Sequence, residues 1–68
     1  MEQMHILEQF EYYLMGQKSR HQTNFRLLLE NPRPIPEHTD FFDALETELK
    51  QVANYQELID NIPWELGE

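Results

Sequence analysis

The sequence predicts an all-α protein folded as a long antiparallel helical hairpin, and three observations support this prediction. Two proline-free stretches, 2–30 and 39–62, are rich in good helix formers such as Glu, Gln and Leu. The apolar residues of both stretches recur at intervals of three and four residues, as they do along one face of a helix. Three of the four prolines fall together between the two stretches, and strand-like alternation bounded by hairpin turn signals is absent.

The first stretch keeps one helical phase across the polar run GQKSRHQTN, which occupies residues 16–24. The positions that define this phase are Leu7, Phe10, Leu14, Gln17, His21, Asn24 and Leu28. Leu7 and Phe25 are eighteen residues apart, which is five turns of about 3.6 residues each. We therefore predict one helix over 2–30. The alternative is a break, because Gly16 is a natural residue to follow a helix and Thr23 is a natural N-cap.

The second stretch predicts a helix over 39–62, after a proline-rich connector at 31–38. Thr39 or Asp40 is the expected N-cap, and Pro63 lies just beyond the expected end. The apolar stripe of this helix consists of Phe41, Leu45, Val52, Tyr55, Ile59 and Ile62, with Phe42 and Leu49 widening it and Glu48 interrupting it. The two helices therefore run antiparallel, joined by a stiff and extended segment.

Two features of the C-terminal third leave alternatives open. Asn54 and Glu57 have the spacing of a capping box, so the second helix could restart there. The tail, 63–68, carries the one tryptophan, Trp64. Two alternatives stay open: the tail docks on the hairpin as a third short helix, or it stays loose.

A two-helix chain of 68 residues, taken here as a single domain over 1–68, cannot enclose a core. Cysteine is absent, so disulfides cannot staple it. Tyr12, Tyr13, Met15 and Leu27 lie off the main stripe and leave apolar surface uncovered. We therefore predict a homodimeric four-helix bundle. The predicted partner or oligomer interface consists of Leu7, Phe10, Leu14, His21, Phe25, Leu28, Phe41, Leu45, Leu49, Val52 and Trp64.

Charge is spread unevenly over a chain whose formal net charge is −8. Residues 16–33 carry a net charge of +3, from four basic residues and one carboxylate, whereas residues 34–68 carry −8, from nine carboxylates and one lysine. The acidic balance disfavours direct nucleic-acid binding, which needs Lys and Arg at the phosphates. The absence of any long apolar run or signal-like N-terminus predicts a cytoplasmic protein with no membrane segment.

Motifs that carry chemistry are missing, so we expect no catalytic residues, no cofactor and no metal site. Glu2 and His5 have the ExxH spacing of di-iron bundles, but both lie away from the predicted seam. His21 is the histidine that occupies a seam position. With Gln17 and Asn24 it predicts a polar layer that fixes helix register, or else a site for an acidic partner segment.

These features together favour a small acidic protein–protein interaction module that is not an enzyme. Such a module would act as an adaptor, regulator or inhibitor of another protein, and its charge asymmetry would steer the encounter. One alternative is a DNA mimic that blocks a nucleic-acid-binding protein, because carboxylates recur through 37–48, 57–60 and 65–68. A more remote alternative is a metal-binding helical bundle, which only Glu2 and His5 suggest.

Overall fold

A computed structural model describes residues 2–31 and 38–68 and confirms the all-α hairpin. Helix α1 spans Glu2–Glu30 and helix α2 spans His38–Asp60, and a 3₁₀ turn at Trp64–Gly67 follows them. The helices lie side by side along most of their length. Together they form a slab whose Cα atoms extend over 55 × 15 × 10 Å. Most of the predicted connector, residues 32–37, lies outside the described residues.

Helix α1 is continuous through the polar run at 16–24, so the predicted single helix is observed and the break at Gly16 is not. No described residue has a positive φ, and Gly16 therefore does not adopt the left-handed conformation that ends helices. The run contains polar residues that a helix tolerates, and it keeps phase with the apolar seam on both sides. The seam therefore continues through the run with polar side chains in it.

Helix α2 differs slightly from its predicted bounds of 39–62, beginning one residue earlier and ending two residues earlier. The early end follows from Pro63, which disfavours helical geometry at the preceding residue, Ile62. The backbone N–H of Ile62 accordingly bonds the carbonyl of Ile59 at 3.4 Å, a three-residue step in place of the four-residue step of an α-helix. The restart considered at Asn54 does not occur, since α2 runs through it without interruption.

The seam between the helices uses the predicted α2 stripe, and Glu48 lies within it. The buried or half-buried residues of this stripe are Phe41, Leu45, Glu48, Val52, Tyr55 and Ile59 on α2 and Ile62 just beyond its end. Phe42 and Leu49, which are expected to widen the stripe, are 60% and 56% exposed and lie outside the seam between α1 and α2. On α1 the half-buried positions include Glu11 and Lys18, while Phe10 is 46% exposed. The α1 seam thus follows a heptad through Leu7, Glu11, Leu14, Lys18, His21, Phe25 and Leu28.

The tail folds back onto the N-terminal end of α1, which settles the alternative left open by the sequence. Gly67 is buried there, and a side chain at this position would have its Cβ 3.1 Å from the Met4 Cα. The turn is closed by a hydrogen bond from the Leu66 N–H to the Pro63 carbonyl, at 2.9 Å. Trp64 is half-buried and Ile62 is buried, so the tail caps one end of the slab.

Candidate functional site

The polar run of α1 meets Glu48 of α2 in the middle of the hairpin, and we call His21, Asn24 and Glu48 the polar layer. His21 Nδ1 lies 2.7 Å from Glu48 Oε1, and Asn24 Nδ2 donates to the same oxygen at 3.2 Å. The side chains of His21 and Glu48 are only 13% and 21% exposed. One carboxylate on α2 therefore ties together two polar side chains that are one helical turn apart on α1.

The neighbours of His21 assign its tautomer and hold its ring. The Arg20 guanidinium lies 3.2 Å from Nε2 of His21. Because a guanidinium can only donate, Nε2 is the acceptor and the proton sits on Nδ1, where it is donated to Glu48. The ring of Tyr55, on α2, stacks on the imidazole of His21, with ring centroids 5.9 Å apart and an angle of 16° between the rings. The imidazole is thus held by two hydrogen bonds and by one aromatic face.

The hydrogen bond from His21 lowers the pKa of Glu48 below its usual range. The bond from Asn24 acts in the same direction, and the nearby charge of Arg20 adds a smaller effect, while partial burial opposes them. Both bonds favour the ionised carboxylate because an ionised oxygen is the stronger acceptor. Glu48 is therefore held as a carboxylate in the folded protein.

A second polar connection lies about two turns from the first, toward the C-terminal end of α2. Lys18 Nζ donates to Gln56 Oε1, and Gln56 Nε2 donates in turn to Asp60 Oδ1 at 2.8 Å. The basic side chain of Lys18 therefore reaches across the hairpin and is linked to a carboxylate through an amide. As in the polar layer, the bond that crosses between the helices has its donor on α1 and its acceptor on α2.

The polar layer is suited to fixing the alignment of the two helices. His21 and Asn24 are both bonded to Glu48, and sliding α2 along α1 by one turn would break these bonds between half-buried polar groups. A histidine bonded to a carboxylate could serve as a general base only beside a nucleophile or a bound substrate. Within 2–31 and 38–68 no group of three or more His, Asp or Glu side chains is arranged to hold a metal ion.

One broad side of the slab, which we call the Leu49 face, carries a second heptad stripe on each helix. Its members are Met15, Gln22 and Leu29 on α1 and Phe42, Leu49 and Gln56 on α2. A shared groove lined by Met15, Gln22 and Gln56 places the two stripes on the same side. The four apolar members are each about half exposed or more.

The opposite side, which we call the Tyr13 face, is also apolar. Its members are Ile6, Phe10, Tyr13 and Leu27 on α1 and Ala44 and Leu58 on α2. Leu27 and Ala44 line one groove of about 470 Å³ beside Asn24 and Glu48. The rings of Phe10 and Tyr13 stack with centroids 6.3 Å apart. Arg20 lies midway between Tyr13 and Leu27 at heptad spacing, so this face combines apolar side chains with a central positive charge.

The residues predicted as a partner or oligomer interface divide into two groups. Those that the hairpin itself packs together are Leu7, Leu14, His21, Phe25, Leu28, Phe41, Leu45, Val52 and Trp64. Phe10 and Leu49 remain exposed, one on each broad face. Their role in binding another chain stays a prediction.

The sequence predicts Gln17 beside His21, and it offers Glu48 only as an acidic partner from another chain. The contacts of the polar run with Glu48, Tyr55 and Gln56 of the same chain were not predicted. The signal for Glu48 was present, because it interrupts the apolar stripe of α2 as His21 interrupts that of α1. Two polar residues at seam positions of antiparallel helices are expected to meet when they lie at the same level. Gln17 is half-buried. Its neighbour Lys18 donates a hydrogen bond to Gln56.

Comparison with protein-family models finds no matching family, and neither the curated proteins nor the solved structures provide a significant match. Among the described helices, neither is long and apolar enough to cross a membrane. The functional argument therefore rests on the surfaces and on the polar layer.

Proposed function

We propose that this chain is a non-enzymatic protein–protein interaction module that binds a partner through the Tyr13 face. The observation that carries the proposal is the distribution of large apolar side chains. In the described part of the chain, only Leu14 and Ile62 are buried. Eleven others, including Phe10, Tyr13 and Leu58, are exposed. A slab with so little interior and so much apolar surface is typical of a chain that completes its packing against other proteins.

The chemistry of the Tyr13 face favours an amphipathic helix as the partner. Its exposed apolar residues recur at helical spacing along a shallow strip between two parallel axes, which is how helix-in-groove sites are built. Arg20 lies at the middle of this strip and would favour a carboxylate on the partner. Arg20 already donates to His21, so a bound carboxylate would be linked to the polar layer through the same guanidinium.

The test is capture by matched variants. Tyr13→Asp and Leu58→Asp place a charge on the Tyr13 face, whereas Tyr12→Asp places the same charge on a more exposed neighbour of the same residue type. We expect the two face variants to lose proteins that the unaltered chain retains from cytosol, and Tyr12→Asp to retain them. Circular dichroism checks that all three variants are helical. Equal retention by every variant would contradict binding through this face.

The DNA-mimic alternative receives weaker support from the surface. Asp43, Glu46, Glu57 and Asp60 follow the outer edge of α2 at heptad spacing, which is the kind of carboxylate row that a mimic needs. Lys50 occupies the middle of that row and lies 3.7 Å from Glu46, so the negative track is broken and partly neutralised. The capture experiment also tests this alternative. Recovery of a nucleic-acid-binding protein that competing DNA releases would support a DNA mimic.

A further inference from the structure

We propose that a second copy of this chain covers the Leu49 face, so that α1 of each chain packs against α2 of the other in a two-fold four-helix bundle. The inference rests on the proposed function in one respect, namely that the module acts by surface contacts, but it uses the opposite face. It names the occupant of that face and the register in which the occupant binds.

The level at which residues of the two helices meet is set by the polar contacts. His21 and Asn24 lie opposite Glu48, and Lys18 lies opposite Gln56. By this alignment Gln22 is level with Leu49, and the Leu29 end of α1 is level with the Phe42 end of α2. The two stripes of the Leu49 face therefore match in length, spacing and level. A two-fold axis along the bundle keeps every level unchanged, and it brings each α1 stripe over the α2 stripe of the other copy.

The side of the slab that carries the Leu49 face is long enough for such a contact. It measures 55 by 15 Å in Cα extent, so a second copy that covered its whole length would approach the area of about 800 Å² per partner of a standard interface. The three levels of the Leu49 face occupy about 21 Å of that length. Leu29, Phe42 and Leu49, all more than half exposed, supply apolar side chains at two of the three levels.

Charge decides between the two possible two-fold arrangements. If the axis instead crossed the helices, α1 would lie on the partner's α1 and α2 on the partner's α2. The acidic outer edges of the two α2 helices would then approach each other. Arg26 would lie at the same level as Lys18 of the partner, so that like charges would come together on both helices. With the axis along the bundle, Arg26 comes to the level of Glu46 on the other chain, which pairs opposite charges at the rim. Among the residues that the structure describes, Arg26 pairs with the exposed Glu30 and Glu46 with the exposed Lys50, each on its own helix.

Single-cysteine cross-linking tests both the occupant and the register, because the chain has no cysteine of its own. Gln22→Cys and Leu49→Cys are prepared separately, mixed, unfolded, refolded together and oxidised. We expect a mixed disulfide between the two variants at least about ten times as abundant as either variant's own disulfide, since facing positions alone reach bonding distance. Gln9→Cys mixed with Asn54→Cys, both exposed and off the Leu49 face, is the matched control.

Three results would overturn the proposal. A strong disulfide of Leu49→Cys with itself would mean that the axis crosses the helices. Cross-linking of the control pair as efficiently as the test pair would mean random collision. Sedimentation equilibrium of the unaltered chain showing only 8.3 kDa at micromolar concentration would mean that no second copy is bound. We expect twice that mass, and we expect Leu49→Gln to weaken association at least about tenfold.

Failure of this proposal can be told from failure of the proposed function. Tyr13→Asp alters partner capture and leaves the Leu49 face intact, so its mass in solution should equal that of the unaltered chain. Leu49→Gln should shift the mass and leave the Tyr13 face intact. If capture depends on Tyr13 while the unaltered chain is a monomer, only the dimer is refuted.

Discussion

Replacing each of the two glycines by alanine should change stability in opposite directions, although the chemical change is identical. Gly16 lies inside α1, and a Cβ built there meets nothing within 4 Å. Gly67 is the buried residue of the 3₁₀ turn, and a Cβ built there would be 2.9 Å from Cδ1 of Leu7 and 3.1 and 3.2 Å from the Cα and N of Met4. The side chain of Leu7 can rotate away, but the backbone of Met4 cannot.

The sizes of the two effects follow from these surroundings. Gly16→Ala removes the cost of an exposed glycine in a helix interior and should stabilise the protein by about 0.5–1 kcal/mol. Gly67→Ala forces the turn away from α1, and overpacking of this kind costs about 1–3 kcal/mol. A domain of this size shifts its Tm by about 4–8 °C for each kcal/mol. We therefore expect Gly16→Ala to raise the Tm by a few degrees and Gly67→Ala to lower it.

Thermal unfolding followed by circular dichroism measures both shifts, and the emission of Trp64 adds a local readout. Trp64 is the only tryptophan, and it belongs to the turn that Gly67 anchors. Gly67→Ala should shift its emission to the red before the helices melt, whereas Gly16→Ala should leave the emission unchanged. If Gly67→Ala alters neither the Tm nor the emission, the tail does not dock on α1 through this close approach.

Three further changes test the seam and the polar layer. Leu14→Ala should lower the free energy of unfolding by about 2–3 kcal/mol because Leu14 is 2% exposed, while Tyr12→Ala should lower it by less than about 0.5 kcal/mol. Urea unfolding measures both losses, and equal losses would contradict the placement of Leu14 in the seam. Glu48→Gln should destabilise the protein at neutral pH by an amount that shrinks in acid. The fold lowers the pKa of Glu48, so its contribution is complete above the ordinary value of 4.5 and is lost as the pH falls through the lower folded value. Unfolding of both proteins across that pH range checks this, and a pH-independent difference would refute it. His21→Leu alone should lower the Tm by leaving Glu48 without its main donor, whereas His21→Leu with Glu48→Leu should restore or raise it while loosening the helix alignment, as mass and cross-linking would report.

The helices were predictable because their causes are local. Proline placement, helix-forming composition and the three- and four-residue spacing of apolar side chains act within a few turns, and they indicated both helices to within two residues. The continuity of α1 through residues 16–24 was predictable for the same reason, since the polar run preserves the phase of Leu7 and Phe25. The end of α2 was placed two residues too late because the effect of Pro63 on its neighbour was underestimated.

Tertiary structure alone decided which residues lie in the seam and which polar groups meet. The sequence identified His21 and Glu48 as interruptions of two separate stripes, but only the alignment of the helices shows that each satisfies the other. The sequence also placed Phe10 in the seam and Leu49 at its margin. The predicted row and the observed seam both repeat every seven residues and share Leu7, Leu14, His21 and Leu28. The side from which α2 approaches brings Glu11 and Lys18 into the seam and leaves Phe10 46% exposed, and only the tertiary structure decides that side. Close approach of the tail to α1 depends on contacts between the two ends of the chain, which no local pattern records.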